Sequence, residues 1–337
     1  MTAAGSSTPG TVADREATAE WYRRFAGEAR GQSAIYEEWA LGVAGDPIVI
    51  GALQELPRPK RQPNLLFAVS RLLGAADGPY AEWRAWTLAH WSAVRDGVRS
   101  RSTQTNEPGR CAALLPLLGR IDSPIALLEV GSSAGLCLYP DRYSYDYDDV
   151  RLNPADGPST VVLKCATTGA PPVPLRMPDI VWRAGIDLDP LDTAHPGDML
   201  WLETLAWPEQ HDRRERMRSA AAIVRSDPPL MVQGDATEAL AALAGCAPAG
   251  ATLVVVSAGV LVYLSPVERE RFAAAVHALG ARWISLEPAA VLPSMARALE
   301  RTPPPTDGLF VLGLDARPVA WCAPHGQSLH WLDGTDR

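Results

Sequence analysis

The chain lacks the features that would staple it covalently, bind a structural metal or set it in a bilayer. Its five cysteines, Cys111, Cys137, Cys165, Cys246 and Cys322, are dispersed with no CxxC pair, which reads as reduced core thiols rather than a disulfide framework. The six histidines, at 90, 195, 211, 277, 325 and 330, show no H-x-x-x-H or clustered spacing, so no metal site is expected. No apolar run reaches the roughly 18–20 residues of a transmembrane helix. The opening stretch, MTAAGSSTPGTVADRE, has no basic segment followed by an apolar one, so it does not read as a signal peptide. Basic residues gather only in short runs such as Arg213–Arg218, interrupted by Glu215, and the net charge is -8. A protein that grips a phosphate backbone needs a basic face to release counterions. Nucleic acid and membrane are therefore not the expected partners. The expected setting is the cytoplasm and the expected partner a small-molecule substrate; the oligomeric state is not written in the sequence.

What the chain does have is enough length for two domains. Its 337 residues are 47% hydrophobic and 21% charged, the texture of a globular protein. Residues 1–17, mostly small and polar, read as a disordered tail. From 18 to 120 the pattern is helical. Trp21, Tyr22, Phe25 and Ala29 recur at helical spacing, Leu65–Leu73 and Trp83–Val94 read as amphipathic helices, and Cys111–Leu118 as a short apolar one. The tryptophans there are expected to pack a helical core.

From 121 to 337 strands and helices alternate, which predicts an α/β domain built on a doubly wound sheet. Strands are predicted at Ile125–Val130, Ile180–Leu188, Leu230–Gln233, Thr252–Ser257, Trp283–Leu286, Leu309–Leu314 and Ser328–Leu332. Helices are predicted at Gly135–Arg142, Gly197–Asp227 (broken at Trp207-Pro208), Ala236–Ala244, Pro266–Leu279 and Pro293–Arg301. Residues 143–179, rich in proline and with a candidate strand at Val161–Cys165, read as an insertion near the site. A closing antiparallel hairpin is expected through Arg317–Gln327.

The chemistry concentrates where the first strand ends, at Leu127-Leu128-Glu129-Val130-Gly131-Ser132-Ser133-Ala134-Gly135. Gly131 permits a sharp turn and a close backbone approach. Gly135 lets a following helix pack close to the sheet, and amides at that helix N-terminus would bind a carboxylate or phosphate. The pattern has one glycine fewer than the dinucleotide fingerprint. Two later strands also end in acids, at Asp187 and at Asp235-Ala236, and a fourth, ending at Ser257, opens toward the same edge. An acid at the second strand tip can accept both ribose hydroxyls. Asp146, in the YSYDY run, competes with Asp187 for that role. Asp235 competes with a plainer duty as helix N-cap.

This order of glycine turn, second acid, third acid and fourth strand resembles the class I S-adenosylmethionine (SAM) methyltransferases. NEPGR at Asn106–Arg110, EVGSSAGL, DRYSYDY, RAGIDLDPLD, LAWPEQ, GDA and LVYLSP further resemble the DUF2332 family, with a helical N-terminal region before a Rossmann-like domain of methyltransferase type. The resemblance implies SAM as cofactor. Glu129, Gly131, Ser132, Ser133, Gly135, Asp187, Asp235, Ala236 and Ser257 would then line its site. Asn106, Arg110, Tyr145 and Trp207 are candidates for the substrate pocket, and Glu107, Glu209, His211 and Tyr263 for removing a proton from the acceptor. The chain departs from the family pattern at Ser257-Ala258-Gly259, where a His-Thr-Ala-like stretch is common, and at Cys137, where Asn is common. Two alternatives stand beside methyl transfer. One is a non-catalytic nucleotide- or small-molecule-binding protein on the same sheet. The other is a serine hydrolase, because Gly131–Gly135 also fits G-x-S-x-G, with Ser133 as nucleophile and His277, His325 or His330 downstream.

Overall fold

The computed structural model describes residues 10–122 and 124–332. Helices α1 (Val12–Ala29), α2 (Ala34–Gly45), α3 (Pro47–Leu53), α4 (Pro63–Leu72), α5 (Tyr80–Ala89), α6 (Trp91–Ser100) and α7 (Cys111–Leu118) precede the first strand, β1 (Ile125–Val130). Short strands β2 (Ser144–Tyr147), β3 (Val150–Leu152), β4 (Val162–Lys164) and β5 (Ala166–Thr168) lead to β6 (Ile180–Asp187). Helices α8 (Pro196–Thr204) and α9 (His211–Ser226) come before β7 (Leu230–Gln233) and α10 (Ala236–Ala244). Then follow β8 (Thr252–Ala258), α11 (Pro266–Ala278), β9 (Arg282–Pro288), α12 (Pro293–Ala298), β10 (Phe310–Leu314), β11 (Arg317–Cys322) and β12 (Ser328–Trp331). Among the described residues no helix is long and apolar enough to cross a membrane.

The chain divides into two compact units, one of the residues up to Thr105 with Pro196–Glu215, the other of Asn106–His195 with the residues from Arg216 onward. The sequence puts the boundary at 120 instead. The difference has a physical basis in Asn106 and Arg110, which bond to the backbone of Ser132, Leu136 and Ala258 in the second unit. Residues 1–9 of the expected tail lie outside the described residues. Residues 12–17 are helix rather than tail, because Thr11 caps α1 by accepting the Asp14 amide. Asp14 is itself fully buried, where it accepts from Arg58 and Arg61 at 2.7 Å each.

The helical unit packs around aromatic rings, as the tryptophan-rich sequence predicts. Trp39 stacks on Trp83 with ring centroids 5.1 Å apart, and Phe67 meets both edge-on. The predicted Trp83–Val94 helix is two helices that break at His90, whose backbone (φ -109°, ψ 19°) leaves the helical region. The predicted Gly197–Asp227 helix is interrupted between α8 and α9, as its Trp207-Pro208 step predicts, since proline cannot supply an amide.

The second unit is a mixed α/β body built on a nine-stranded sheet of order β5-β12-β11-β10-β9-β8-β1-β6-β7. Five of its eight pairings are parallel. From β1 the chain steps outward to β6 and β7, then crosses back to β8 and β9 on the other side. The order therefore reverses between β1 and β8. One face of the sheet, with Leu128, Val130, Ile186, Val255 and Trp283, is buried together with Leu240 and Leu243 of α10 and Phe272 and Val276 of α11. The expected closing hairpin is present as the antiparallel run β10-β11-β12. The insertion forms a separate three-stranded sheet, β3-β2-β4. Four of the five cysteines are buried thiols, but Cys246 is exposed.

Candidate functional site

The turn after β1 is held from three sides. Gly131, Ser133 and Gly135 all adopt positive φ, at 69°, 50° and 70°, so the backbone doubles back immediately beyond Val130. The amides of Gly131 and Ser132 donate to the Ile186 carbonyl of β6, at 2.8 and 3.2 Å. The Ser133 amide donates to Asp187 Oδ2 at 2.8 Å, and Asp187 Oδ1 accepts the Asp189 amide at 2.9 Å. Asn106, 1% exposed, braces the turn at both ends. Its Nδ2 donates to the Ser132 carbonyl at 3.1 Å and its Oδ1 accepts the Leu136 amide at 2.8 Å.

Space around the turn is tightly used. A side chain on Gly185 of β6 would clash with Ser132 Oγ, and one on Gly131 would meet Val260 Cγ2 at 2.5 Å. The helix predicted at Gly135–Arg142 does not form. Two short 3₁₀ turns, Leu136–Leu138 and Pro140–Arg142, replace it. Pro140 disfavours helical backbone at Tyr139 (φ -120°, ψ 41°) and carries no amide to continue one. The turn therefore gains no helix dipole, and that part of the expectation is corrected.

Beside this turn the sheet buries two carboxyl groups at strand tips. Glu129 is the last residue but one of β1 and Glu287 the last but one of β9; they are 3% and 1% exposed. Glu287 Oε1 accepts the amides of Val260 and Leu261 at 3.2 Å each. One oxygen of each acid, Oε2, is buried without a hydrogen-bond partner, and so are the hydroxyls of Ser132 and Ser133. Burial pushes the Glu129 carboxyl well above the usual carboxylate range, with Cys137 adding to the effect and Arg110 opposing it. Burial also pushes Glu287 up to about 7, against the two amides and the charges of Arg110 and Arg269. The acids face opposite sides of the sheet. Glu287 pairs with Val311 on the face packed by α11, whereas Glu129 alternates with Leu128 and Val130 of that face. Between them Arg110 caps the tip of β8, its Nη1 donating to the Ala258 carbonyl at 2.7 Å and its Nε to that of Pro324 at 3.1 Å.

The structure brings Asn106, Arg110, Glu129, Gly131–Gly135 and Asp187 together at one edge. β6 rather than β2 pairs with β1, so Asp187 holds the second-strand position and Asp146 sits in the small sheet, facing Arg151 at 3.3 Å. Asp235 acts as N-cap of α10, its Oδ1 taking the amide and hydroxyl of Thr237 at 2.8 and 2.5 Å; Ala236 opens that helix. Ser257 accepts from Trp283 Nε1 at 3.2 Å on the α11 face.

Other candidates are engaged elsewhere. Tyr145 is a core residue of the small sheet, stacked on Tyr147 and donating to the Pro140 carbonyl. Trp207 packs on Phe25 and Tyr36 and donates to Asn64 in the helical unit. Glu209 accepts from Ser33 Oγ and the Ile35 amide at 2.5 and 3.0 Å, and His211 Nδ1 lies 2.5 Å from Arg214. Glu107 is buried against the Gly109 amide and Arg216, each at 2.9 Å. Tyr263 is 66% exposed. Among the described residues no group of three His, Cys, Asp or Glu side chains is arranged to hold a metal ion.

The nucleophile-elbow alternative finds no support in this geometry. Ser133 has the left-handed φ, but its Oγ has no hydrogen-bond partner. The turn also leads into no α-helix, and His330 is spent on Thr168 at 2.8 Å, at the far edge of the sheet. Sequence reasoning missed one functional candidate, Glu287, and the role of another, Asn106. Glu287 carries a visible signal, since Leu286-Glu287-Pro288 repeats the pattern of an apolar strand ending in an acid. The bracing role of Asn106 has no local signal, because its partners lie 26 and 30 residues away.

No curated protein and no solved structure matches the chain. A family model described as an uncharacterised protein conserved in bacteria, DUF2332, matches residues 19–331. With that model spanning both the helices and the sheet that carries the site, the chain is a member of the DUF2332 family.

Proposed function

We propose that the sheet unit binds the adenosyl group of SAM along the carboxyl edge of β1, β6, β7 and β8, and that the protein transfers its methyl group to a small molecule. The observation that carries this reading is the strand order. Numbered among themselves, β1, β6, β7, β8 and β9 lie in the order 3-2-1-4-5, that of doubly wound nucleotide-binding sheets, which take ligands where the order reverses. The glycine turn stands at that reversal and Asp187 at the tip of the second strand. A carboxylate oxygen has room for a second donor, so Asp187 can accept ribose hydroxyls while it holds the Ser133 and Asp189 amides. Asp235 would reach adenine only from its capping position. The chain would contribute alignment of acceptor and sulfonium, an effect of about 7–11 kcal/mol in well-oriented systems. Calorimetry with SAM and its demethylated product tests the reading. Dissociation constants in the micromolar range, about -8 kcal/mol, much weakened in Asp187→Ala, are expected; no heat from either ligand at high protein concentration refutes it.

A second reading, a binding protein without catalysis on the same sheet, is favoured by one observation. Glu107, Glu209 and His211 are tied to structural partners, which leaves no placed base among those candidates. SAM carrying an isotopic methyl label, incubated with small-metabolite extracts, separates the two. Label transferred to an extract component supports the enzyme, and binding without transfer supports the binding protein.

A further inference from the structure

The turn after β8 closes the point where the strand order reverses. Gly131 is the residue whose missing side chain would let a ligand approach the first turn, yet Val260 occupies that space. Its Cγ2 and Cβ lie 2.5 and 2.8 Å from where a Gly131 Cβ would stand. Val260 follows Gly259, which has a φ of 68° and whose amide donates to the Leu286 carbonyl at 2.9 Å. Beyond it, Leu261–Tyr263 is a single 3₁₀ turn, and Val262 and Tyr263 are exposed.

Besides its own Tyr263 and Leu264 amide bonds, this turn is held by side chains from β9 and α11. Glu287 Oε1 takes both the Val260 and Leu261 amides. From α11, Arg269 Nε donates to the Leu261 carbonyl at 2.8 Å. Arg110 fixes Ala258 just before the turn. Arg110, from the turn before α7, and Arg269 act on Glu287, and both favour its ionised form.

We propose that Glu287 is a positioning residue for the site: it holds the 259–264 turn so that Val260 fills the space over Gly131, and a ligand reaches the glycine turn from the β8 side only when that turn lifts. The inference rests on the adenosyl reading for the identity of the ligand, but not for the mechanics of the turn. An ionised carboxylate accepts amide hydrogen bonds more strongly than a neutral one. The closed turn is therefore firmest above the Glu287 midpoint near 7 and loosens below it.

Two measurements on the full chain test this. Amide hydrogen exchange of peptides covering 258–265, corrected for intrinsic rates, should show faster opening at pH 6 than at pH 8. In Glu287→Gln the opening at pH 8 should match the pH 6 rate and lose its pH dependence. Calorimetry with S-adenosylhomocysteine as probe should show roughly tenfold tighter binding to Val260→Ala, because the competent fraction no longer waits on the turn. Exchange that is independent of pH and unchanged in Glu287→Gln overturns the positioning role. Equal affinity of the probe for wild type and Val260→Ala overturns the closure. If the probe binds neither protein while exchange responds as expected, the adenosyl reading falls and the control of the turn by Glu287 stands.

Discussion

The two units treat buried carboxylates in opposite ways. In the helical unit Asp14 has no exposed surface, and both its oxygens meet guanidinium groups, with the Gly10 amide as a further donor. In the sheet unit Glu129 and Glu287 are as deeply buried, yet each keeps one oxygen without a partner. A buried polar atom left unpaired costs about 1–3 kcal/mol. A fold that satisfies its acid so fully in one unit and leaves two incomplete at one edge of the other is sacrificing stability at that edge. Asp187 and Asp235 sharpen the contrast within the sheet unit: Asp187 takes one backbone amide on each oxygen, and Asp235 Oδ1 takes an amide and a hydroxyl. Strand-tip acids here are thus of two kinds, the half-buried Asp187 and Asp235 and the deeply buried Glu129 and Glu287, which keep an oxygen without a partner.

The largest effect should come from the saturated acid. Asp14→Ala leaves the Arg61 charge buried without its partner, and urea unfolding should show a loss of about 3–5 kcal/mol. Arg61 holds the Asp14 carboxyl below the usual carboxylate range. Its contribution is therefore present above the unfolded carboxyl range near pH 4 and fades as pH falls through the lower folded value. A loss below 1 kcal/mol would erase the contrast between units.

Glu287 should behave with the opposite sign. Its folded value is raised to about 7, so the folded state binds the extra proton between pH 4.5 and 7. Stability contributed by this group is complete below pH 4.5 and declines by about 3 kcal/mol as pH rises through 7. Glu287→Gln should remove that decline, seen as a flatter profile of unfolding free energy from pH 5 to 8. A profile as steep as that of wild type would place the titration elsewhere.

Smaller effects separate the turn-shaping acids from one another. Asp187→Ala removes a charged acceptor from the Ser133 and Asp189 amides and should cost about 1.5–3 kcal/mol, with faster amide exchange confined to 131–135 and 187–191. Asp235→Ala removes only a cap and should cost about 1 kcal/mol, with exchange faster in the first turn of α10. If both variants loosen the glycine turn equally, Asp235 has a reach that its hydrogen bonds do not explain.

Much of this arrangement is legible in the amino-acid sequence. Continuous apolar runs such as IALLEV and TLVVVSA announce buried parallel strands, and the strand-tip positions of Glu129, Asp187 and Asp235 follow from them. The helix expected after Gly135 fails for a reason also present in the sequence, since Tyr139-Pro140 forbids it. β11 shows in the sequence only within the expected closing hairpin and not as a strand of its own, because Pro318 near its start argues against a strand. The contacts of Asn106 and Val260 with the glycine turn were not readable, because they join segments far apart in the chain and depend on which strands become neighbours.

The central claim is that the edge with β1, β6 and the glycine turn is an adenosyl site. A crystal structure of the full chain grown with S-adenosylhomocysteine tests it most directly. The account predicts density over residues 131–135, with ribose oxygens within hydrogen-bond distance of Asp187 and Val260 displaced from Gly131. An edge with no ligand density at saturating concentration, or ligand bound away from Asp187, would contradict it.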